Sequence, residues 1–238
     1  MKAIILAAGT GSRLGKNIPK SLVKITKTAS ILDHQLENLS HVTDLENISI
    51  IVGYKSDLII SRYPGLNTIK NDNYTSTNTS KSLFLGLSRL GENDDIIFLN
   101  GDVVFNPEIL NLIMDNRLNN LICVNDDNVG EEEIKYNLDN KGYISQISKT
   151  IKYPLGEAVG INYIKRETIP ILTDCLEICS DNDYFEKGIE LTIEKGEIFL
   201  PLNICNRFCI EIDFEEDLER AKTILKTQNN KPGNLIIP

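Results

Sequence analysis

The chain has 238 residues, with 25 basic and 34 acidic side chains and a formal net charge of −9. Nucleic acid requires a basic face on its protein partner, so an acidic chain of this kind is not expected to bind it. The length fits one large domain or two small ones, and 41% hydrophobic residues are enough to bury a core.

The first predicted element is a short apolar strand over residues 3–7. It imitates the start of a signal peptide, but it stops in a glycine-rich turn instead of continuing to a cleavage site. Since no apolar stretch approaches the about 18 residues of a membrane span, we expect no membrane contact. Five cysteines, an odd number, suit reduced thiols, and we therefore expect a cytoplasmic protein.

Strands and helices then alternate through residue 125. Ser30 can cap a helix that carries Leu32, Leu36 and Leu39, and Ser56 can cap a shorter one. Further apolar runs predict strands over 48–52, 95–99 and 121–124, with a helix over 80–90 and another opened by Pro107. This order predicts an α/β fold with a doubly wound, mostly parallel, Rossmann-like sheet, which binds ligands beyond the carboxyl ends of its strands.

The second half has a different pattern. Residues 134–147 alternate around Asp139-Asn140-Lys141-Gly142, which predicts a hairpin and hence a small antiparallel insertion. Strands over 156–164 and near Ile198 and Cys209, with helices over 169–178, 184–193 and 215–226, complete the chain. We predict one domain over 1–228, with halves of about 1–125 and 126–228, and a C-terminal tail over 229–238.

The loop Gly9-Thr10-Gly11-Ser12-Arg13-Leu14-Gly15 is the strongest functional signal. Glycines let backbone N–H groups approach phosphate oxygens. The first 32 residues also contain no Asp or Glu but six basic side chains: Lys2, Arg13, Lys16, Lys20, Lys24 and Lys27. This local positive charge predicts a small anionic ligand. Leu14 breaks the G-x-G-x-x-G pattern and Asn17 breaks the P-loop pattern, which disfavours a dinucleotide oxidoreductase and a P-loop NTPase.

Two stretches resemble the signature of the nucleotidyltransferases that activate sugar phosphates and related compounds. They are Lys2-Ala3-Ile4-Ile5-Leu6-Ala7-Ala8-Gly9-Thr10-Gly11-Ser12-Arg13-Leu14 and Ile18-Pro19-Lys20. The resemblance implies a nucleotidyltransferase, GT-A-like fold in which Arg13 contacts the β- and γ-phosphates and Lys20 the phosphates near the reacting phosphorus. It implies nucleotide binding by Leu6, Ala8, Gly9, Thr10, Gly11, Ser12, Arg13, Lys20, Asn78, Ser82 and Asp102.

Two acidic motifs resemble the metal-binding motifs of the same superfamily. They are Asn100-Gly101-Asp102 and Glu211-Ile212-Asp213. The resemblance implies that Asp102 and Asp213 hold Mg²⁺, a cation that favours oxygen ligands. Taken alone, Asp213 with Glu216 favours an N-terminal helix cap over a metal ligand, and only together with Asp102 and the glycine loop is the ligand favoured. Asn78 can be an ordinary turn residue and Ser82 a surface helix position.

A narrower resemblance is to phosphocholine cytidylyltransferases and their relatives that act on phosphonates or phosphorylated amino acids. It rests on Glu131-Glu132-Glu133-Ile134-Lys135, Ile147-Ser148-Lys149, Gly156-Glu157 and Gly160-Ile161. We assign acceptor binding to Lys135, Glu157, Tyr184 and Glu186, and expect Tyr163 and Phe185 to be core residues. The chain has no Trp, the best residue for a choline box, which lowers phosphocholine to the level of aminoalkylphosphonate and phosphoglutamine as acceptor.

The resemblance implies a Mg²⁺-dependent transfer of CMP from CTP to a small phosphorylated or phosphonate acceptor, with release of pyrophosphate. Ala8 fits cytidylyltransferases but occurs in uridylyltransferases too. The alternatives are a sugar-1-phosphate nucleotidylyltransferase that uses UTP or dTTP, and a non-catalytic nucleotide-binding regulator. A non-catalytic regulator is expected to have lost Lys20 or one of the metal-binding aspartates. Lys20, Asp102 and Asp213 are all present, which disfavours the regulator. The oligomeric state, monomer or homodimer, stays open.

Overall fold

A computed structural model describes residues 1–127, 129–130 and 132–229. Residues 230–238 of the expected tail, and Glu131, lie outside this part of the chain. The strands are β1 Lys2–Ala7, β2 Ile48–Val52, β3 Asn67–Lys70, β4 Ile96–Asn100, β5 Val103–Phe105, β6 Asn120–Asn125, β7 Lys135–Leu138, β8 Ile144–Ser148, β9 Gly156–Ile164, β10 Phe199–Asn203 and β11 Cys209–Glu211. The helices are α1 Ile31–Leu39, α2 Ser56–Arg62, α3 Thr79–Leu90, α4 Glu108–Asn116, α5 Ile169–Ile178, α6 Phe185–Glu194 and α7 Glu215–Asn229.

The main sheet has the order β10-β6-β9-β4-β1-β2-β3. Along this path β9 runs antiparallel to both β4 and β6, while the other neighbouring pairs are parallel. The β7–β8 hairpin extends from β9, and β5 pairs with β11 in a separate small sheet. The expected α/β fold is therefore confirmed as a mostly parallel, mixed sheet with an antiparallel hairpin.

Helices cover both faces of this sheet, which explains why its central strands are apolar throughout. In β1, Ile5 packs on the face that holds Leu32 of α1, and Ile4 packs on the opposite face with Leu83 of α3. The start of α1 is fixed by a capping box, in which Ser30 accepts from the Asp33 amide and Asp33 accepts from the Ser30 amide. Within the described chain, no helix has both the length and the apolar character needed to cross a membrane.

Two strands and one cap differ from the expectations. Two strands were not predicted: β3, a half-exposed edge strand, and β5, which is only three residues long. The expectation that Ser56 caps α2 is wrong, because Ser56 is the first helical residue. Lys55 precedes it in a left-handed conformation, with φ of 46°, and makes no side-chain cap.

The topology brings three segments to one edge of the sheet. The loop after β1 and the turn Asn100-Gly101-Asp102 after β4 lie side by side, since β1 and β4 are parallel neighbours. The end of β11 joins them because β11 pairs with β5, and the Ile212 amide donates to the Asp102 carbonyl oxygen over 3.0 Å. Residues more than a hundred positions apart thus meet beyond the carboxyl ends of the strands.

Candidate active site

Lys20 lies at the centre of the site. The loop after β1 turns at Gly11, which has φ of 60°, and returns so that a Cβ on Gly11 would lie 3.1 Å from the Lys20 Cβ. The Lys20 ammonium donates to Asp102 Oδ2 over 2.8 Å and to Asp213 Oδ1 over 2.6 Å. Burial alone would lower the pKa of Lys20, but the two carboxylates outweigh it and raise that pKa above its ordinary value. The ammonium is therefore a permanent positive charge.

Arg13 adds a second cation beside it. Its guanidinium lies 2.9 Å from Asp213 Oδ2 and 3.1 Å from Glu132 Oε2. Burial would raise the pKa of Asp213, but the bonds from Lys20 and Arg13 lower it below its ordinary value. The Asp213 carboxylate thus faces the site. The interpretation of Asp213 as a helix cap is wrong, because the Asp217 carboxylate accepts from the amides of Asp213 and Phe214 instead.

Three carboxylates could hold a divalent cation here. One oxygen each of Asp102, Glu211 and Asp213 lies within 4.8 Å of the others. Asp102 Oδ1 is buried and has no hydrogen-bond partner among the described residues, so it has a lone pair to offer. An all-oxygen set with an unpartnered oxygen fits Mg²⁺. Glu211 was missed as a possible ligand, and the nearby Asp102 charge raises its pKa well above the ordinary value.

A buried glutamine of α1 supports the turn that carries Asp102. Gln35 Nε2 donates to the carbonyl oxygens of Asn100 and Val103, both over 2.9 Å. The turn between β4 and β5 is therefore held from beneath as well as by its strands. Gln35 lies on the apolar face of an amphipathic helix, where a polar residue could have signalled a buried hydrogen bond.

A cavity of about 250 Å³ opens above these charges. Its lining includes Arg13, Lys20, Asp102, Glu211 and Asp213. Its lining also includes Thr79, Lys149, Tyr184, Phe185 and Glu186. The cavity therefore joins the phosphate-binding candidates to a mixed polar and aromatic surface, although Thr79, Glu211 and Lys149 had not been assigned to a site.

The candidate nucleotide residues occupy an adjoining space. Leu6, Ala8, Gly9, Asn78 and Ser82 line a smaller cavity of about 60 Å³ together with Tyr74, Thr77 and Thr79. Asn78 is the N-cap residue that precedes α3, and its side chain accepts from the Thr79 amide over 2.8 Å. The surface position considered for Ser82 is wrong, since the residue is buried and its hydroxyl accepts from Asn71 over 3.1 Å. Thr10 lines a shallow recess with Gly11, Arg13, Lys20 and Asp213, and Ser12 begins a single 3-10 turn.

The candidate acceptor-binding residues do not all line the same cavity. Tyr184 and Glu186 line the main cavity, whereas Glu157 lines a separate one of about 120 Å³. Burial, and then the charge of Glu133, raises the pKa of Glu157 to about 7. Lys135 lies on β7 and donates to the Lys149 carbonyl oxygen over 3.1 Å.

Tyr163 and Phe185 are core residues, as expected. Tyr163 is fully buried and its hydroxyl donates to Asp95 over 2.6 Å. Phe185 is 1% exposed, and its ring meets that of Phe98 edge to face, although the residue also contributes to the wall of the main cavity.

Known proteins are similar to this chain in sequence. The chain is 27% identical over 209 residues to the bifunctional protein GlmU of Methanococcus aeolicus, a match that covers 86% of the chain and 48% of that protein. It is 27% identical to the CTP:phosphoglutamine cytidylyltransferase of Campylobacter jejuni, over 92% of the chain and 98% of the relative. The chain thus spans about half the length of the first relative and nearly all of the second.

A solved structure has the same fold. That of the CTP:phosphocholine cytidylyltransferase from Streptococcus pneumoniae superposes with a TM-score of 0.75 at 22% identity, covering 94% of this chain and 98% of the other. The family model described as a MobA-like NTP transferase domain matches residues 3–168, the segment that includes the glycine loop, Lys20 and Asp102. The resemblance read from the motifs is confirmed, and the chain belongs to the family of MobA-like NTP transferase domains.

Proposed function

We propose that the chain is a Mg²⁺-dependent cytidylyltransferase that transfers CMP from CTP to a small phosphorylated or phosphonate molecule and releases pyrophosphate. The observation that carries the proposal is the position of Lys20, which bonds to Asp102 and Asp213 beneath a cavity edged by the glycine loop. The candidate acceptors are phosphocholine, an aminoalkylphosphonate and phosphoglutamine. The activities for which the Campylobacter and Streptococcus proteins are named support the same chemistry.

The reaction joins two anions and needs no protein nucleophile. An oxygen of the acceptor attacks the α-phosphorus of CTP, the new P–O bond forms, and the bond to the β-phosphate oxygen breaks in line. Lys20 would hold positive charge where negative charge develops at the α-phosphorus, and Arg13 would bind the departing phosphates. Both cations now contact carboxylates, so the phosphates of CTP would take over part of those bonds.

Asp102, Glu211 and Asp213 would hold the metal. When bound, Mg²⁺ would neutralise phosphate charge and orient the triphosphate. The Asp102 oxygen that has no partner among the described residues supports this assignment. The smaller cavity beside Ala8, Asn78 and Ser82 is the candidate site for the base.

Pyrophosphate release tests the proposal directly. The protein is incubated with CTP, UTP, dTTP or ATP, with Mg²⁺, and with each candidate acceptor or a hexose 1-phosphate. We expect release with CTP and one of the three acceptor types. Turnover restricted to UTP or dTTP with a hexose 1-phosphate would establish the sugar-1-phosphate alternative instead.

Two variants test the metal assignment in the same assay. We expect Asp102→Asn and Asp213→Asn each to lower kcat at least ~100-fold, because each loses a carboxylate charge that would hold the metal and that also contacts Lys20. Asp115→Asn, on the exposed side of α4, is the matched control and should keep its activity. Near-normal turnover of both site variants would show that the metal assignment is wrong.

A further inference from the structure

The main cavity contains a charged and aromatic group that the transfer chemistry does not use. It consists of Lys149, which follows β8, Tyr184, which precedes α6, and Glu186 in the first turn of α6. We call these three residues the head-group cluster. If the proposed function is correct, these residues face the part of the acceptor that lies away from the phosphate.

Glu186 has a carboxylate oxygen that lacks a donor. The residue is 5% exposed and lines the main cavity, and its Oε2 atom is buried with no hydrogen-bond partner in the described part of the chain. A buried carboxylate in this state is unfavourable until a proton or a donor from a ligand reaches it. Burial accordingly raises the pKa of Glu186 to about 7.

Lys149 lies over the one exposed aromatic ring of this cluster. Its Nζ atom is 4.6 Å from the centre of the Tyr184 ring, within the range of a cation–π contact. This face of Tyr184 is therefore already covered by a cation of the protein. A quaternary ammonium group, which binds chiefly through aromatic faces, would have to displace Lys149.

A primary ammonium group satisfies both observations. It has N–H donors for Glu186 Oε2, whereas a trimethylammonium group has none and would leave that oxygen unpaired. We propose that the acceptor carries a primary ammonium group that donates to Glu186, and that the head-group cluster selects it over a quaternary ammonium group. Glu186 is the residue that determines this specificity, and Lys149 excludes the trimethylated competitor.

Matched acceptors test the preference. Phosphoethanolamine and 2-aminoethylphosphonate are each compared with the N-trimethyl counterpart, with phosphoglutamine as a third primary-ammonium acceptor, and pyrophosphate release from CTP is measured. For the best primary-ammonium acceptor we expect kcat/KM about 10- to 100-fold above that of its trimethylated or deaminated analogue, as for one charged hydrogen bond. Equal or better turnover of the trimethylated compound overturns the inference while leaving the proposed function intact.

Two variants assign the preference to residues. We expect Glu186→Gln to raise KM for the primary-ammonium acceptor about 10- to 100-fold, with KM for CTP unchanged and no effect on the deaminated analogue. Lys149→Met should increase turnover of the trimethylated acceptor, because the Tyr184 ring becomes accessible. Glu194→Gln, exposed on the same helix, and Lys141→Met, exposed in the hairpin turn, are the matched controls.

The outcomes separate the two proposals. Equal losses by Glu186→Gln for acceptors with and without the amine would mean a structural role and overturn the inference. Turnover of hexose 1-phosphates alone would overturn the proposed function, and the inference with it. If turnover is too slow to rank the acceptors, calorimetric titration of phosphoethanolamine against phosphocholine in the presence of CMP gives the same ratio.

Discussion

At the level of single residues, Lys20 joins the two aspartates that the fold brings together. It is 14% exposed and contacts Asp102 and Asp213, while Glu211 lies in the same carboxylate group. Replacing Lys20 by Met removes its cation from beside the three carboxylates, of which Asp213 still pairs with Arg13. We expect Lys20→Met to lower kcat about 100- to 1,000-fold and to lower the Tm.

The same variant measures metal binding without an activity assay. We expect Mg²⁺ to raise the Tm of Lys20→Met more than that of the wild type, because the ion would supply the missing positive charge. Lys27→Met, exposed on the surface, should respond to Mg²⁺ as the wild type does. Equal responses in all three proteins, followed by thermal unfolding, would argue against a metal site at these carboxylates.

Glu186 makes the stability of the fold depend on pH. Burial raises its pKa from 4.5 to about 7, so the folded state takes up a proton that the unfolded state lacks between these values. Its contribution to stability is therefore complete below pH 4.5 and is lost as the pH rises through 7. A shift of this size corresponds to about 3 kcal/mol at pH 8.

Glu186→Gln removes this titration. We expect the variant to be more stable than the wild type at pH 8, by up to about 3 kcal/mol, and nearly equal to it at pH 5. Urea unfolding at both pH values measures the difference, with Glu194→Gln as the control. A stability difference that does not change with pH would mean that Glu186 keeps an ordinary pKa.

At the level of elements, Gly101 sets the distance between β1 and β4. A Cβ at this position would lie 2.7 Å from the Leu6 carbonyl oxygen and 2.8 Å from the Ala7 Cβ. The Gly101 amide donates to that same oxygen over 2.9 Å, so the backbone has little room to move.

Gly101→Ala should therefore separate the strands and displace Asp102. We expect a loss of about 1–3 kcal/mol in the free energy of unfolding, with a fall in kcat. Gly65→Ala, where a Cβ would meet nothing within 4 Å, is the matched control. Urea unfolding and pyrophosphate release measure the two effects, and a Gly101→Ala protein as stable as the control would contradict the argument.

The sequence predicts the bounds of an element well where the element is buried along its whole length. The bounds of β2, β9 and α5 were predicted residue for residue, because apolar runs and helical spacing mark elements that pack on both sides or on one face. Strand β3 has a polar, half-exposed pattern, and β5 is too short to carry a period. Their pairing partners, rather than their own residues, make them strands.

The site was predictable to a similar degree. Sequence motifs identify the glycine loop, Lys20, Asp102 and Asp213. The spacing of residues in a motif does not show which neighbouring side chains face the site. Glu211 joins the carboxylates only through the pairing of β11 with β5, and Lys149 reaches Tyr184 from another element. These are contacts through space, and one sequence without its fold does not contain them.

At the level of the whole molecule, the basic N-terminal segment is matched by acidic residues from later in the chain. Arg13, Lys16 and Lys20 pair with Asp213, Glu215 and both site aspartates, respectively. The net charge of −9 of the whole chain thus does not describe the charge of the site, where basic and acidic side chains are in contact. A triphosphate brings negative charge and a divalent cation brings positive charge, so the phosphates would bond to Arg13 and Lys20 while the cation would bind the carboxylates that these two residues release.

This exchange predicts how the fold responds to nucleotide. A ligand present at 100 times its Kd stabilises the folded state by about 2.7 kcal/mol, which for a chain of this size raises the Tm by about 5 to 10 °C. Without an acceptor no transfer occurs, so binding is measured alone. We expect CTP with Mg²⁺ to give a larger shift than UTP or ATP at equal concentration, since these nucleotides share the ribose and the triphosphate and differ only in the base, and a larger shift than dTTP, which differs in the base and in the 2′-hydroxyl. Omission of Mg²⁺ should reduce the shift for every nucleotide by a similar factor, because the metal would neutralise the phosphates that all of them share. A larger shift with UTP or dTTP would contradict the assignment of the base while leaving the phosphate site unchanged.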